Sequence, residues 1–207
     1  MTQPSLLVIA KDPRPGHAKT RLCPPCEPAQ AAQLAEAALR DTLDVVIATA
    51  AARRVLVLDG DPARWRRRGL DVIPQRGDGL ADRLAAAFAD IDGPALLIGM
   101  DTPQLTGELL AEGLQALSRF DAVLGPADDG GYWSVGLRRP HEHAFRDIPM
   151  SSETTLRCQR ERFAGLGLGV YDQPQLRDVD TIADAHAVAR QAPRSRFAGV
   201  LALIAAG

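Results

Sequence analysis

The chain has 207 residues, of which 24 are basic and 26 are acidic, so its formal net charge is −2. This balance gives no overall field that would attract a nucleic acid or an anionic membrane, and recognition of an anion must therefore be local. Three cysteines are too few for a disulfide framework and favour a reducing cytoplasm. The length suits a single domain that spans residues 1–207.

Apolar runs of strand length alternate with helical patterns along the chain. We predict strands at residues 6–10, 55–58, 70–73, 95–100, 121–125, 133–137 and 167–171. We predict helices at residues 28–48, 79–91, 109–117 and 153–164, and the last thirty residues form helices that are interrupted at Pro193. This alternation predicts an α/β sandwich, in which helices cover both faces of one mostly parallel sheet.

The loop after the first predicted strand contains the only two lysines of the chain, Lys11 and Lys19. The other 22 basic residues are arginines. A lysine ammonium is a compact charge that suits contact with a phosphate group. Gly16 lets the backbone approach a ligand closely, and Arg21 adds another cation. The loop therefore predicts a site for nucleotide phosphates, although it lacks the spacing of a P-loop, and an exposed basic loop is the alternative.

Asp101 directly follows the most apolar predicted strand. Ligands of open α/β sheets bind beyond the carboxyl ends of the strands, and a carboxylate held there suits a hard divalent cation. Capping of the next helix by Asp101 is the weaker alternative, because Thr106 is better spaced for that role. A later acidic segment contains Asp180. Either Asp180 or Thr181 could cap the helix that follows, and Asp180 could instead supply a second carboxylate to the same cation.

A turn rich in aspartate and glycine joins the fifth and sixth predicted strands. It contains the sequence Asp129-Gly130-Gly131-Tyr132. A plain hairpin turn is the default interpretation of this segment alone, because Asp-Gly pairs are typical of such turns.

Four segments in this order resemble the nucleotide-diphospho-sugar transferase superfamily, whose members have the GT-A fold. The segments are Lys11-x-Pro-x-Pro-Gly-x-x-Lys-Thr-Arg-Leu22, Gly99-x-Asp-x-Pro-x-Leu105, Asp129-Gly-Gly-Tyr132 and Asp178-Val-Asp-Thr181. Within the superfamily the chain is similar to a family of bacterial transferases found beside radical-SAM or selenium-associated proteins. It is also similar to 2-phospho-lactate guanylyltransferases and molybdenum-cofactor cytidylyltransferases.

The resemblance implies roles for individual residues. Asp101 and Asp180 would bind Mg²⁺ or Mn²⁺. Lys19 and Arg21 would contact the nucleotide phosphates, and with Asp101 they form the predicted catalytic group. The predicted nucleotide-binding set is completed by Lys11, Gly16, Gln75 and Gly77, of which the last two would face the base or ribose. The predicted acceptor-binding set comprises Asp129, Gly130, Gly131 and Tyr132.

These features predict a metal-dependent transferase that uses a nucleotide or nucleotide-sugar donor and a small-molecule acceptor, with no nucleic acid or membrane as partner. Nucleotidyl transfer is favoured over glycosyl transfer, because a triphosphate and its leaving pyrophosphate carry more charge for the basic loop to offset. A non-catalytic nucleotide-binding regulator is a third alternative. The sequence leaves the base, the acceptor and the oligomeric state open.

Overall fold

The computed structural model describes residues 3–206, so the first two residues and the last residue of the predicted domain lie outside the described part. Its strands are β1 (Ser5–Lys11), β2 (Arg54–Asp59), β3 (Asp71–Pro74), β4 (Ala95–Ile98), β5 (Ala122–Pro126), β6 (Tyr132–Leu137) and β7 (Val170–Asp172). Its helices are α1 (Pro28–Ala48), α2 (Leu80–Ala89), α3 (Gly107–Ala116), α4 (Thr155–Gly165), α5 (Ile182–Gln191) and α6 (Arg196–Ala206). Two short 3₁₀ helices lie at Thr20–Leu22 and Pro62–Trp65.

The seven strands form one sheet in the order β3-β2-β1-β4-β6-β5-β7. All neighbouring strands are parallel except β6, which runs antiparallel to both β4 and β5. The prediction of a mostly parallel sheet is therefore confirmed. Because β6 runs in the opposite direction, the turn that joins β5 to β6 lies at the same edge of the sheet as the carboxyl ends of the parallel strands.

Side chains of β1 alternate between the two faces of the sheet, as strand geometry requires. Leu6 and Val8 are fully buried against residues of α1 and α3, whereas Leu7 is fully buried against residues of α2 and α4. A third apolar cluster joins the outer side of α1 to α5 and α6. Helices therefore cover both faces, which confirms the α/β sandwich predicted from the sequence.

Helix α1 begins with two favourable signals at its amino end. Glu27 and Gln30 form a capping box, in which each side chain accepts a hydrogen bond from the backbone N–H of the other residue, and Pro28 occupies the first turn. The helix is long because both of its sides are buried, one on the sheet and one on α6. No helix within residues 3–206 combines the length and the apolar character needed to cross a bilayer.

The start of the basic loop is fixed by Asp12, which follows β1 and whose side chain is 2% exposed. Its carboxylate accepts hydrogen bonds from the indole N–H of Trp65 at 3.0 Å, from Arg64 at 2.6 Å and from Arg14 at 3.2 Å. Burial by itself raises the pKa of Asp12, but these hydrogen bonds outweigh it and hold the pKa below its usual value. The network thus ties the loop after β1 to the segment after β2.

Replacing Asp12 with alanine should reduce the free energy of unfolding by about 1–3 kcal/mol, because the buried indole N–H of Trp65 loses its acceptor. Urea denaturation measures this difference. Asp71→Ala is the matched control, because Asp71 pairs with Arg53 on the surface and its removal should change little.

The effect of Asp12→Ala should also depend on pH. A carboxylate with a lowered folded-state pKa contributes its full stabilisation above the unfolded-state pKa and loses it as the pH falls through the folded-state pKa. The difference between the wild type and the variant should therefore narrow below a pH of about 4. A difference that stays constant down to pH 2 would contradict this role of the charged carboxylate.

Candidate active site

A cleft of about 670 Å³ lies at the carboxyl edge of the sheet. Its walls come from the basic loop after β1, the start of α2, the residues after β4, the β5–β6 turn and the segment between β7 and α5. The cleft brings together Lys19, Asp101, Asp129, Asp178 and Asp180, which come from four separate parts of the chain.

Three carboxylates form a cluster on one side of the cleft. Oxygen atoms of Asp129, Asp178 and Asp180 all lie within 4.8 Å of one another. Asp178 and Asp180 are two positions apart in the segment that precedes α5, and the residue between them, Val179, is buried in the apolar core. The backbone N–H of Val179 donates to the carbonyl of Asp101 at 2.9 Å, so this segment runs beside the residues that follow β4.

The cluster concentrates negative charge, which is compensated only in part by Lys19 and Arg21 beside Asp180. Burial first, and then the neighbouring carboxylates of Asp129 and Asp180, raise the pKa of Asp178 to about 6, while Lys19 opposes the shift. Three close carboxylate oxygens are hard ligands of the kind that Mg²⁺ and Mn²⁺ prefer, and a divalent cation would relieve their repulsion. The donor set therefore fits such an ion.

The β5–β6 turn holds Asp129 in the cluster. The side chain of Asp129 accepts a hydrogen bond from the backbone N–H of Gly131 at 2.7 Å. Gly130 has a positive φ of 86°, and a Cβ placed there would lie 2.3 Å from the carbonyl oxygen of Glu153, just before α4. Glycine is therefore required on both steric and conformational grounds. Asp128, which directly precedes Asp129, lies outside the cluster and pairs with Arg177 at 3.1 Å.

Two cations face the carboxylate cluster. The ammonium of Lys19 lies 2.8 Å from Asp101 and 3.8 Å from Asp180, and it donates to the carbonyl of Val179. The guanidinium of Arg21 lies 2.9 Å from Asp180 and is 71% exposed. Both predicted phosphate-binding residues thus lie at the cleft, directly beside the cluster.

The structure differs from the sequence analysis in the grouping of the carboxylates. The sequence analysis pairs Asp101 with Asp180 at one metal ion. In the structure the ammonium of Lys19 contacts both carboxylates, and Asp101 does not belong to the three-carboxylate cluster, so a shared ion stays a prediction. Asp178 was not assigned as a ligand, and Asp129 was assigned to the acceptor. Asp178 could have been predicted as a ligand from its position two residues before Asp180, because side chains two positions apart in an extended segment point to the same side.

The residues predicted to bind the nucleoside have varied surroundings. Lys11 is exposed and lines the cleft, whereas Gly16 lies in the loop with open space beside it. Gln75 lines the cleft, but its amide nitrogen donates to the carbonyls of Ala10 and Val57, and its oxygen accepts from Arg83. A contact of Gln75 with a base stays a prediction, and it would use the second lone pair of the amide oxygen or replace one of these hydrogen bonds.

Gly77 adopts a positive φ of 117°, and a Cβ there would lie 2.5 Å from Cβ of Asp82 in α2. This glycine therefore shapes the turn that leads into α2. Whether its backbone also faces the base or ribose stays a prediction.

The wall of the cleft that is predicted to bind the acceptor lies near the start of α4. The hydroxyl of Tyr132 is 3.4 Å from the amide oxygen of Gln159, and burial raises the pKa of Tyr132 above its usual range. Ser151 and Ser152 line the same wall. Thr102, next to Asp101, also lines the cleft, and its buried hydroxyl has no hydrogen-bond partner among residues 3–206.

The fold and this cleft together define a member of the nucleotide-diphospho-sugar transferase superfamily. The chain belongs to the DUF2064 family, described as an uncharacterized protein conserved in bacteria, which it matches over residues 33–152. This family match, together with the relatives described below, confirms the predicted superfamily.

Individual relatives support this assignment. The chain is 30% identical over 154 residues to a molybdenum cofactor guanylyltransferase of Bradyrhizobium sp. (strain ORS 278), a match that spans 67% of this chain but 61% of that protein. It superposes with a TM-score of 0.89 and 28% identity on a candidate nucleotide-diphospho-sugar transferase of Desulfovibrio desulfuricans G20, covering 100% of this chain and 96% of that one.

A more distant Mycobacterium tuberculosis H37Rv protein, crystallised in complex with manganese, shares the fold alone. Its TM-score is 0.60 at 19% identity, over 90% of this chain and 97% of that one.

Gly130→Ala should move Asp129 out of the cluster, because the new methyl group would overlap the backbone of Glu153. We expect the affinity for Mn²⁺ to fall by about tenfold or more, as is typical when the support of a metal site is lost. Gly167→Ala is the matched control, because Gly167 also has a positive φ, of 70°, but has open space around it. Equal Mn²⁺ affinities for the two variants, measured by titration calorimetry, would contradict the role of the turn.

Proposed function

We propose that the protein is a metal-dependent nucleotidyltransferase, which transfers a nucleoside monophosphate from an NTP to a small phosphorylated or hydroxyl acceptor. The observation that carries the proposal is the contact of Lys19 and Arg21 with a cluster of three carboxylates inside one cleft. The two cations suit the phosphates of a triphosphate, and the carboxylates suit a divalent ion.

In this reaction an acceptor oxygen attacks the α-phosphorus of the NTP. The bond from the α-phosphorus to the oxygen that bridges it to the β-phosphate breaks, and pyrophosphate leaves with the electron pair of that bond. Lys19 and Arg21 would stabilise the negative charge on the phosphates as it shifts toward the leaving group. Asp129, Asp178 and Asp180 would hold a bound Mg²⁺ or Mn²⁺, and this ion would further neutralise the charge of the phosphate oxygens.

The acceptor would approach from the wall formed by the β5–β6 turn and the start of α4. Tyr132 and Ser152 lie on that wall, whereas Lys11, Lys19 and Gln75 lie on the side of β1 to β3. This arrangement separates a donor side from an acceptor side. The similarity to a molybdenum cofactor guanylyltransferase supports nucleotidyl transfer, although the match spans 61% of that protein.

Glycosyl transfer from an NDP-sugar is the second candidate. It is favoured by the similarity over the whole chain to the Desulfovibrio protein, a candidate nucleotide-diphospho-sugar transferase. In that reaction an acceptor oxygen attacks the anomeric carbon, the bond from this carbon to the diphosphate oxygen breaks, and a nucleoside diphosphate leaves. The same cations, and a divalent ion that the carboxylates would hold, would then stabilise the leaving diphosphate.

A panel of nucleotides separates these functions. The four NTPs and common NDP-sugars are first compared by thermal shift with Mg²⁺ or Mn²⁺, because a ligand that binds the native state raises the unfolding temperature. The best donors are then incubated with candidate acceptors, and the products are analysed. Release of pyrophosphate supports nucleotidyl transfer, and release of a nucleoside diphosphate supports glycosyl transfer. Binding without turnover would favour a regulator instead.

Asp178→Asn and Asp180→Asn should each lower the affinity for Mn²⁺ by at least about tenfold, because each removes a charged oxygen ligand. Metal-dependent turnover should fall in parallel, while far-UV circular dichroism stays unchanged. Asp128→Asn is the matched control, since its carboxylate contacts Arg177 and Gln175 rather than the cluster. Wild-type metal affinity in Asp178→Asn and Asp180→Asn would contradict the proposed ion site.

A further inference from the structure

The position of Lys19 raises a question about how a metal ion gains access to the carboxylates. The side chain of Lys19 is 9% exposed, and its ammonium contacts Asp101 and Asp180 at the same time. It also donates to the carbonyl of Val179, so three acceptors surround it. A solvent-facing phosphate ligand would not be expected to be buried in this way before the phosphate arrives.

Asp180 belongs to two sets of interactions that oppose each other. Its oxygens join those of Asp129 and Asp178 in the cluster, and they also face Lys19 and Arg21. An ammonium 3.8 Å from Asp180 would repel a divalent ion bound to the same carboxylate. The contacts of Lys19 in this structure and metal binding by Asp180 therefore compete.

The loop conformation directs Lys19 toward the cluster. Lys19 has a φ of 52° and a ψ of 39°, a left-handed conformation that is unfavourable for a residue with a side chain. It immediately precedes the short 3₁₀ helix Thr20–Leu22, which carries Arg21. The favourable contacts of the ammonium offset this local cost, and the loop would lose that compensation when the ammonium moves to another partner.

We propose that Lys19 is a tethered cation that holds Asp180 in the nucleotide-free protein and releases it when nucleotide phosphates bind the ammonium. The inference rests on the proposed function, because it needs a phosphate-bearing donor and a divalent ion at the same cleft. Its consequence is that nucleotide and metal bind cooperatively, and that the metal alone binds weakly. Cooperativity of this kind is reciprocal, so the metal must also strengthen nucleotide binding.

Lys11 provides a matched control within the same loop. It lines the same cleft, but it is exposed and takes part in none of the ion pairs found among residues 3–206. Removing its charge changes the net charge of the cleft by the same amount as removing that of Lys19. Only Lys19 contacts Asp101 and Asp180, so the comparison separates a specific contact from a general effect of charge.

The test is a titration with Mn²⁺ alone, in which the signal of free hexaaqua Mn²⁺ is followed by electron paramagnetic resonance. Lys19→Met should bind Mn²⁺ about tenfold more tightly than the wild type, a typical size for coupling between sites. Lys19→Gln should behave similarly, and it replaces Lys19→Met in the test if the methionine variant is unstable. Its amide can still donate to the carbonyl of Val179. Lys11→Met should stay within about twofold of the wild type.

A second arm repeats the titration with the α,β-methylene analogues of GTP and CTP, which cannot release pyrophosphate. The analogue that binds should increase the Mn²⁺ affinity of the wild type by a larger factor than that of Lys19→Met. The difference arises because the methionine variant has no ammonium to displace from Asp180.

Unchanged Mn²⁺ affinity in both Lys19 variants would overturn the inference and leave the proposed function standing. An equal gain in Lys11→Met would also overturn it, because a general effect of charge would then suffice. Failure of the wild type to bind Mn²⁺ even with every nucleotide of the panel would contradict the proposed function itself, and the inference with it.

Discussion

Repulsion among three carboxylates at one edge of the sheet is the constraint around which the cleft is arranged. Asp129, Asp178 and Asp180 approach one another because the β5–β6 turn and the segment before α5 converge there. Their charge attracts Lys19 and Arg21, which lie directly beside Asp180, and this attraction holds the end of the basic loop. Asp12 holds the start of the same loop. The basic loop is thus held at both ends, and the side chain of Lys19 is directed into the cleft.

Most of the secondary structure could be predicted from the sequence, because the burial of one or both sides of an element produces a regular spacing of apolar residues. The helix predicted at residues 28–48 has the same bounds in the structure, since a capping signal at Glu27 and apolar residues on two sides agree with each other. The strand predicted at residues 95–100 ends instead at Ile98, where the pairing with β1 stops. The insertion of β6 between β4 and β5 was not predictable, because periodicity carries no information on which strands become neighbours.

The candidate site was predictable in its location but not in its internal contacts. Asp101 was predicted to bind a metal ion because it follows a buried strand, and in the structure it lines the cleft. Its pairing with Lys19 joins residues 82 positions apart, and the grouping of Asp180 with Asp129 joins residues 51 positions apart. The contact of Lys19 with Val179 spans 160 positions. Such contacts follow from how loops meet at the sheet edge, which no local pattern specifies.

The outermost strands of the sheet also bear on how the protein can associate with other chains. β3 has four residues and β7 has three, so each edge presents few unpaired backbone groups. An exposed edge strand is a template for pairing with a foreign strand, and short edges limit that hazard. Pro74 at the end of β3 removes a further donor. Intermolecular growth of the sheet, and aggregation through it, is therefore disfavoured at both edges.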